Sequence, residues 1–375
     1  ADYIQEIENK LGIPTMGRAE RFPEIFEYLM KLSIERPITL FIDEFQEFFK
    51  VNKSVYSDMQ RIWDMYHTKA HINLIVCGSI FSMMTKIFKD KKEPLYNRQT
   101  RFMSIKPFTP AVLKEIMAEY NPNYTAEDLL ALYSFTGGMA KYVQLLVDAG
   151  ATTKTKMLNH IIKADSVFLG EGKAILIEEF GKDYGVYFSI LSAIARGKTL
   201  RSEIEQIVGR EIGGYLTKLE KEYEVITKNQ PIFEKSSTKN VRYTIEDNFF
   251  TFWFRFIYKY NYMLEIENYD AVKTIINRDY ETFSGKMLER YFKRILVESK
   301  TYTRIGSWWD RKGENEIDIV AENELNDEAV FIEVKRQEEN FDAIALNEKV
   351  DVFTRATGKF KDYTVSQKGL SMTDM

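Results

Sequence analysis

The sequence predicts an α/β chain: a core with a parallel sheet, then a helical segment and a winged helix, then a smaller C-terminal α/β domain. Three observations carry this. An apolar run at 38–42 ends in the adjacent acids Asp43 and Glu44. A second apolar run follows after about thirty residues, with an amphipathic segment between the two. Near the C-terminus, two strand-like segments carry Asp318 and the pattern Glu333-Val334-Lys335.

The first run is Ile38-Thr39-Leu40-Phe41-Ile42. In an open α/β sheet the carboxyl end of such a strand opens onto the crevice where ligands bind. There Asp43 can hold Mg²⁺, and Glu44 can orient or activate the water that attacks a γ-phosphate. A buried strand followed by an acidic turn gives the same string. Next, Val55, Met59, Ile62, Trp63 and Tyr66 recur at helical spacing before Ile72-Asn73-Leu74-Ile75-Val76-Cys77-Gly78-Ser79. Strand, amphipathic helix, strand is a βαβ unit, so the sheet is parallel with a right-handed crossover. Ser79 ends the second strand, where it can sit beside Asp43 and Glu44.

These residues resemble the P-loop ATPases of the AAA-like and STAND group. More narrowly, they are similar to prokaryotic ATPases with an acid-ended strand, a Gly-Ser sensor strand and a segment like Pro94-Leu95-Tyr96-Asn97-Arg98. A Gly-Gly-x-Pro-Lys-Tyr-like turn follows in that family. Here it reads Gly137-Gly138-Met139-Ala140-Lys141-Tyr142, with Ala140 in place of proline. The resemblance implies ATP and Mg²⁺ as cofactors and Ser79 as the γ-phosphate sensor. It makes Arg98 or Arg101 an arginine finger, which implies self-association, or a phosphate sensor, and it makes Lys141 a lid contact to the nucleotide. A solvated loop charge accounts about equally well for Arg101 and Lys141.

One expected part is missing: no Gly-x-x-x-x-Gly-Lys-Ser/Thr occurs in the 375 residues. Gly197-Lys198-Thr199 lacks the leading glycine, since position 192 is serine, and a helix precedes it where a strand is required. Gly170-Glu171-Gly172-Lys173 is followed by Ala174. Residues 1–12 read as the middle of a helical segment, and only 42 residues precede Asp43. The expectation is a chain that begins after the phosphate loop.

Composition predicts a soluble, multidomain, cytoplasmic protein. The chain is 45% hydrophobic, with one cysteine, Cys77, in a strand-like run, so it has no disulfide framework. No stretch reaches the roughly 20 apolar residues that a membrane helix needs. A net charge of −4 argues against broad coating of nucleic acid but leaves room for a local basic face.

Four domains are expected. The ATPase core runs over 1–106, closing with a strand-like 102–105, and a helical lid over 107–180 begins with Thr109 as N-cap and Pro110 at the first helical position. A second helix start is Thr125-Ala126-Glu127-Asp128. Over 181–265, helices near 187–194, 202–208 and 211–222 precede strands at 225–227 and 241–245, the order of a winged helix. In a DNA reader the third helix enters the major groove. This one mixes Arg210, Lys218 and Lys221 with Glu211, Glu220 and Glu222, a poor surface for phosphates.

Residues 266–375 carry the last constellation. Glu333 and Lys335 share one strand face, and Asp318 can face them across a hairpin turned at 323–328. Carboxylates give hard oxygen ligands for Mg²⁺, and a lysine can orient water or stabilise charge at a phosphodiester. Asp, then Glu-x-Lys on the next strand, resembles the PD-(D/E)xK restriction-endonuclease fold. That resemblance implies a further acid from a preceding helix, matched by Glu289, so Glu289, Asp318 and Glu333 would form the metal set and Lys335 a catalytic residue. No proline precedes Asp318, which departs from the pattern, and a plain hairpin with solvated charges reads the same way. Gly306-Ser307-Trp308-Trp309-Asp310 is similar to the C-terminal domain of undefined function that the same ATPases carry.

The reading is an ATP-hydrolysing core whose nucleotide state controls C-terminal domains that bind DNA or a partner. A Mg²⁺-dependent nuclease with a regulatory core, and a non-enzymatic DNA- or protein-binding scaffold, are the alternatives.

Overall fold

Alternation along the two apolar runs builds the first sheet. Ile38–Ile42 forms β1 and Ile72–Val76 forms β2, paired in parallel with Ile38 opposite Ile72 and Ile42 opposite Val76. Leu40, Ile42, Leu74 and Val76 turn to an apolar cluster, while Thr39, Phe41, Asn73 and Ile75 stay exposed on the other side. Helix α1 (Asp2–Leu11) and α2 (Phe22–Leu32) precede β1. After it come a short α3 (Phe48–Val51), the crossover α4 (Ser54–Tyr66) and, beyond β2, α5 (Phe81–Lys89). Phe26 and Met30 of α2, with Val55, Tyr56, Met59 and Ile62 of α4, fill the cluster against β1 and β2.

This computed structural model describes residues 2–12, 21–235 and 238–375. The chain divides into two compact units, Ala1–Ser104 and Ile105–Met375. The segment 102–105, expected as a closing strand, has no strand geometry: Met103 and Ile105 are exposed and nothing pairs with them in a ladder. Among the described residues, no helix is long and apolar enough to cross a membrane.

The second unit opens with five helices: α6 (Pro110–Tyr120), α7 (Ala126–Thr136), α8 (Ala140–Asp148), α9 (Lys154–Ile161) and α10 (Val167–Phe180). The expected caps are made. Thr109 accepts the Val112 N–H, and Thr125 and Asp128 close a reciprocal capping box. Helices α11 (Tyr184–Ala195), α12 (Arg201–Val208) and α13 (Gly213–Lys221) follow, then an antiparallel ribbon of β3 (Ile226–Asn229) and β4 (Arg242–Ile245). The aromatic run after it forms α14 (Asn248–Phe252), a π-helical turn at Trp253–Tyr258 and α15 (Asn261–Glu265).

The 31-residue α16 (Tyr269–Ser299) leads into a four-stranded sheet. Its strands are β5 (Arg304–Trp309), β6 (Glu316–Asn323), β7 (Glu328–Val334) and β8 (Thr364–Leu370), in that order. The first three are antiparallel, and β8 joins β7 in parallel after the crossover α17 (Ala343–Thr357). One face of the sheet packs Ile317, Val320 and Phe331 against Leu346, Val350 and Phe353 of α17. The other adds Ile319, Ile332 and Val334 to a continuous core that also holds α7, α11, α14 and α16. The expected lid, three-helix module and tail therefore share one core.

Candidate functional site

Parallel pairing brings the ends of β1 and β2 side by side, and two backbone bonds extend the contact past the ladder. Cys77 donates its N–H to the Ile42 carbonyl at 3.0 Å, and Phe45 donates to the Cys77 carbonyl at 2.8 Å. Glu44 takes the left-handed conformation, φ 48° and ψ 45°, so the chain turns sharply and both acids emerge at the strand end. Asp43 Oδ1 accepts the Glu44 N–H at 2.9 Å and the Cys77 thiol at 2.7 Å. The Cys77 bond, then the Glu44 amide, hold the Asp43 carboxyl below the usual carboxylate range. The same bond keeps Cys77 protonated by raising its pKa.

Glu44 Oε2 is gripped from two sides. Ser79 Oγ donates to it at 2.8 Å, and Gln46 Nε2 donates as well. Gln46, then Ser79, stabilise the ionised form and lower the Glu44 pKa. Gln46 is 1% exposed, which makes it a fixed clamp. Sequence reasoning placed Asp43, Glu44 and Ser79 together but gave Gln46 no role; a glutamine directly after an aromatic residue in a buried turn was the available signal. Asp43 is exposed and its Oδ2 carries no hydrogen bond among the described residues, so its donor chemistry fits one carboxylate on a hydrated Mg²⁺.

The basic residues sit differently from expectation. Arg98 Nε and Nη2 donate to Asp64 of α4 at 2.9 and 2.8 Å, and Nη1 donates to the Pro94 and Tyr96 carbonyls. All three nitrogens are committed to fastening the 94–98 segment, a geometry opposed to a finger that reaches for phosphate. Arg101 is exposed. In the second unit, Lys141 pairs with Glu171 at 2.5 Å.

Within that second unit, Glu289 of α16, Asp318 of β6 and Glu333 of β7 line one cleft of about 1130 Å³. A bulge sets Asp318: Gly306 pairs Val320 while Trp308 pairs Ile317, so Ser307 alone faces Asp318 and Ile319. Bulges re-aim side chains in this way. Asp318 Oδ2 accepts the Val334 N–H at 2.8 Å, where β6 and β7 have left register. Glu333 Oε1 takes Lys335 at 2.8 Å and Lys349 at 2.9 Å, while its buried Oε2 has no hydrogen-bond partner among the described residues. Burial, then the charge of Asp318, push Glu289 up to about 8. Burial, then Glu333, push Asp318 up to about 6. Burial opposes the charge of Lys335, but its bond to Glu333 and the neighbouring acids raise its pKa.

The expected three-acid metal set needs correction. Among the described residues, no group of three or more Asp, Glu, His or Cys stands close enough to hold an ion. The reason is visible in the bonds: Asp318 is drawn to a backbone amide and Glu333 to two lysines. The three acids line one cleft, with Lys335 reaching them only through its bond to Glu333, and they form no ligand shell.

Comparison with known proteins places the chain. Residues 5–146 match an ATPase domain predominantly from Archaea, and residues 253–350 match archaeal and bacterial proteins of unknown function. A Methanocaldococcus jannaschii protein, MJECL04, is 33% identical over 348 residues, covering 89% of this chain and 73% of that protein. The chain belongs to the same family as this protein, and its N-terminal part is an ATPase domain of a kind found predominantly in Archaea. A second M. jannaschii protein, MJ0424, is 34% identical over 56 residues, which is 15% of this chain and 54% of that protein. The Walker-type ATPase PABY2304 of Pyrococcus abyssi aligns with a TM-score of 0.47 and 19% identity, over 67% of this chain and 75% of that chain. The family's ATPase match spans β1, β2 and the turn carrying Asp43, Glu44 and Ser79, and its second match spans α16 through β7.

Proposed function

We propose that the first unit supplies the metal-binding and water-activating half of an ATPase, and that nucleotide turnover there sets how the second unit holds a partner. The observation that carries this is Glu44, clamped by Ser79 and Gln46 directly beside an open Asp43 carboxylate. Asp43 would hold Mg²⁺. Glu44 would accept a proton from the attacking water, with Ser79 keeping its carboxylate aimed. Bound Mg-ATP would supply the electrophilic γ-phosphate. Arg98 has no place in this scheme because Asp64 and two carbonyls occupy it, and of the two arginines the exposed Arg101 is the one that remains for a subunit boundary.

The phosphate-loop motif is not in these 375 residues, so turnover is tested on the complete gene product. Glu44→Gln keeps size and hydrogen bonding but removes the base. ATP binding should persist while hydrolysis falls by about a hundredfold or more. Turnover near wild type in that variant would overturn the role of Glu44. For the 375-residue chain alone, calorimetry with Mg-ATP should show little heat, because the amide cradle and its lysine are not in it; micromolar binding would reveal another phosphate site.

A second reading is supported by the acid cluster. Carboxyls with raised pKa values lining a cleft, one neighbour of which is paired to Lys335, are a pattern that functional sites favour. Under this reading the second unit would cut phosphodiesters with a divalent ion, which Asp318 and Glu333 would hold only if released from the Val334 amide and from Lys335 and Lys349. Cutting of DNA with Mg²⁺ or Mn²⁺ should vanish in Asp318→Ala and Lys335→Ala while ATP hydrolysis survives. Unchanged cutting in both variants would sink it.

A further inference from the structure

The cleft beside the acid cluster has a second population of side chains. Ten basic residues line it against seven acidic ones, on a chain whose net charge is −4. Most of the acids are already satisfied. Glu316 pairs with Arg242, Glu203 with Lys198 and Glu333 with two lysines, and Asp310 is tied by the amides of its own turn. Burial, then the charge of Asp318, raise the Glu289 pKa and so disfavour its negative charge. By contrast, Lys228, Lys286, Lys293, Arg311 and Lys312 line the cleft with no ion pair or hydrogen bond among the described residues.

The cations are arranged. Lys286, Arg290, Lys293 and Arg294 all line the cleft from α16 at spacings of three and four, so they form one stripe about 12 Å long at 1.5 Å per residue. Arg290 is anchored by the Asn248 Oδ1 at 2.9 Å. Lys293 stands half-buried next to it; burial lowers its pKa, with Glu246 opposing and Arg290 adding to that shift, so an anion between Arg290 and Lys293 would favour its charged form. Facing them, Asp310 closes the β5–β6 turn through the N–H groups of Glu314 and Asn315, so Arg311 and Lys312 project from an ordered loop. The β3–β4 ribbon is locked to the same wall. Arg242 stacks on Trp309 at 4.5 Å and pairs with Glu316 at 2.8 Å, and Trp309 donates to Asn240 at 2.8 Å.

We propose that this cleft binds the phosphodiester backbone of a nucleic acid, laid along the α16 stripe and held from the other side by the β5–β6 turn. A lone phosphate would need two of these cations; a stripe on one element and a second set on another suit an extended polyanion. The phosphate path is thus α16 and the β5–β6 turn, and the exposed, charge-mixed α13 is not part of it. The inference adds a ligand to the second reading above but needs no cleavage.

The test is fluorescence anisotropy of the full chain with labelled single-stranded and duplex oligonucleotides in EDTA, where no cutting occurs. Binding should weaken steeply between about 50 and 200 mM salt. Lys286→Ala and the double variant Arg311→Ala/Lys312→Ala should each weaken it by about tenfold, and each removed cation should lower the slope of log K against log salt by about one. Lys361→Ala, exposed and outside the cleft, should change nothing. The substituted residues are exposed, and circular dichroism melts check that each variant folds. No salt-dependent binding, equal losses from Lys361→Ala, or equal binding of polyglutamate overturns the proposal. Binding that obeys this pattern without metal-dependent cutting keeps the proposal and removes the nuclease reading alone.

Discussion

Gly78 shows how closely the first site is fitted. A Cβ there would lie 2.1 Å from Gln46 Oε1 and 2.6 Å from Met84 Sδ, so any larger residue pushes out the side chain that clamps Glu44. Gly78→Ala should cost unit 1 about 1–3 kcal/mol of stability from overpacking. It should also lower kcat for ATP in the complete gene product by about tenfold, the equivalent of one charge-assisted hydrogen bond, with KM little changed. Gln46→Leu should reproduce the kcat loss, and a KM effect in its place would make Gln46 a ligand contact. The acid pair and Ser79 were legible because parallel strands in register end together. Gln46 was not, because its contact forms only through the left-handed turn at Glu44, and periodicity assumes regular backbone.

At the scale of elements, caps and periods read well where local chemistry decides. Thr109 and Thr125 start their helices as their side chains require, and the β6–β7 hairpin turns within the stretch that its polar residues marked. What failed depends on packing. The run 102–105 has strand-like residues but no neighbouring strand, and the bulge opposite Ser307 leaves no mark in the alternation of β6. Arg98 looks like any loop arginine until α4 brings Asp64 beneath it. Close packing of α10 on the π-helical turn gives a direct test. A Cβ on Gly172 would meet the Trp253 ring at 2.4 Å, and that indole is fixed by its bond to the Leu169 carbonyl. Gly172→Ala should therefore destabilise unit 2 by about 1–3 kcal/mol, read as a lower Tm. An unchanged Tm would mean that Trp253 can leave its place freely.

Across the whole molecule, the two units have separate apolar clusters and opposite electrostatic habits. In unit 1 the acids Asp43 and Glu44 are stabilised as anions, so their contribution is present above pH 4.5 and is lost only as pH falls through their lowered values. In unit 2 burial raises Asp247 to about 6 from an ordinary 3.8, and raises Asp318 and Glu289 as well. A raised acid binds its proton more tightly in the folded state. Its contribution is complete below the unfolded pKa and disappears as pH rises through the folded one. Unit 2 should thus lose stability steadily from pH 5 through about 6 and on to about 8, while unit 1 stays level over that window. Calorimetry should resolve two transitions, assigned by which of them Gly78→Ala and Gly172→Ala shift. Asp247→Asn keeps an oxygen for the Phe249 N–H and removes the ionisation. It should flatten the unit 2 slope around pH 6, and Glu289→Gln should flatten the part nearer 8. A unit 2 transition that rises with pH over this range would show that the buried carboxyls ionise in the folded protein as readily as in the unfolded chain, with ion pairing outweighing burial.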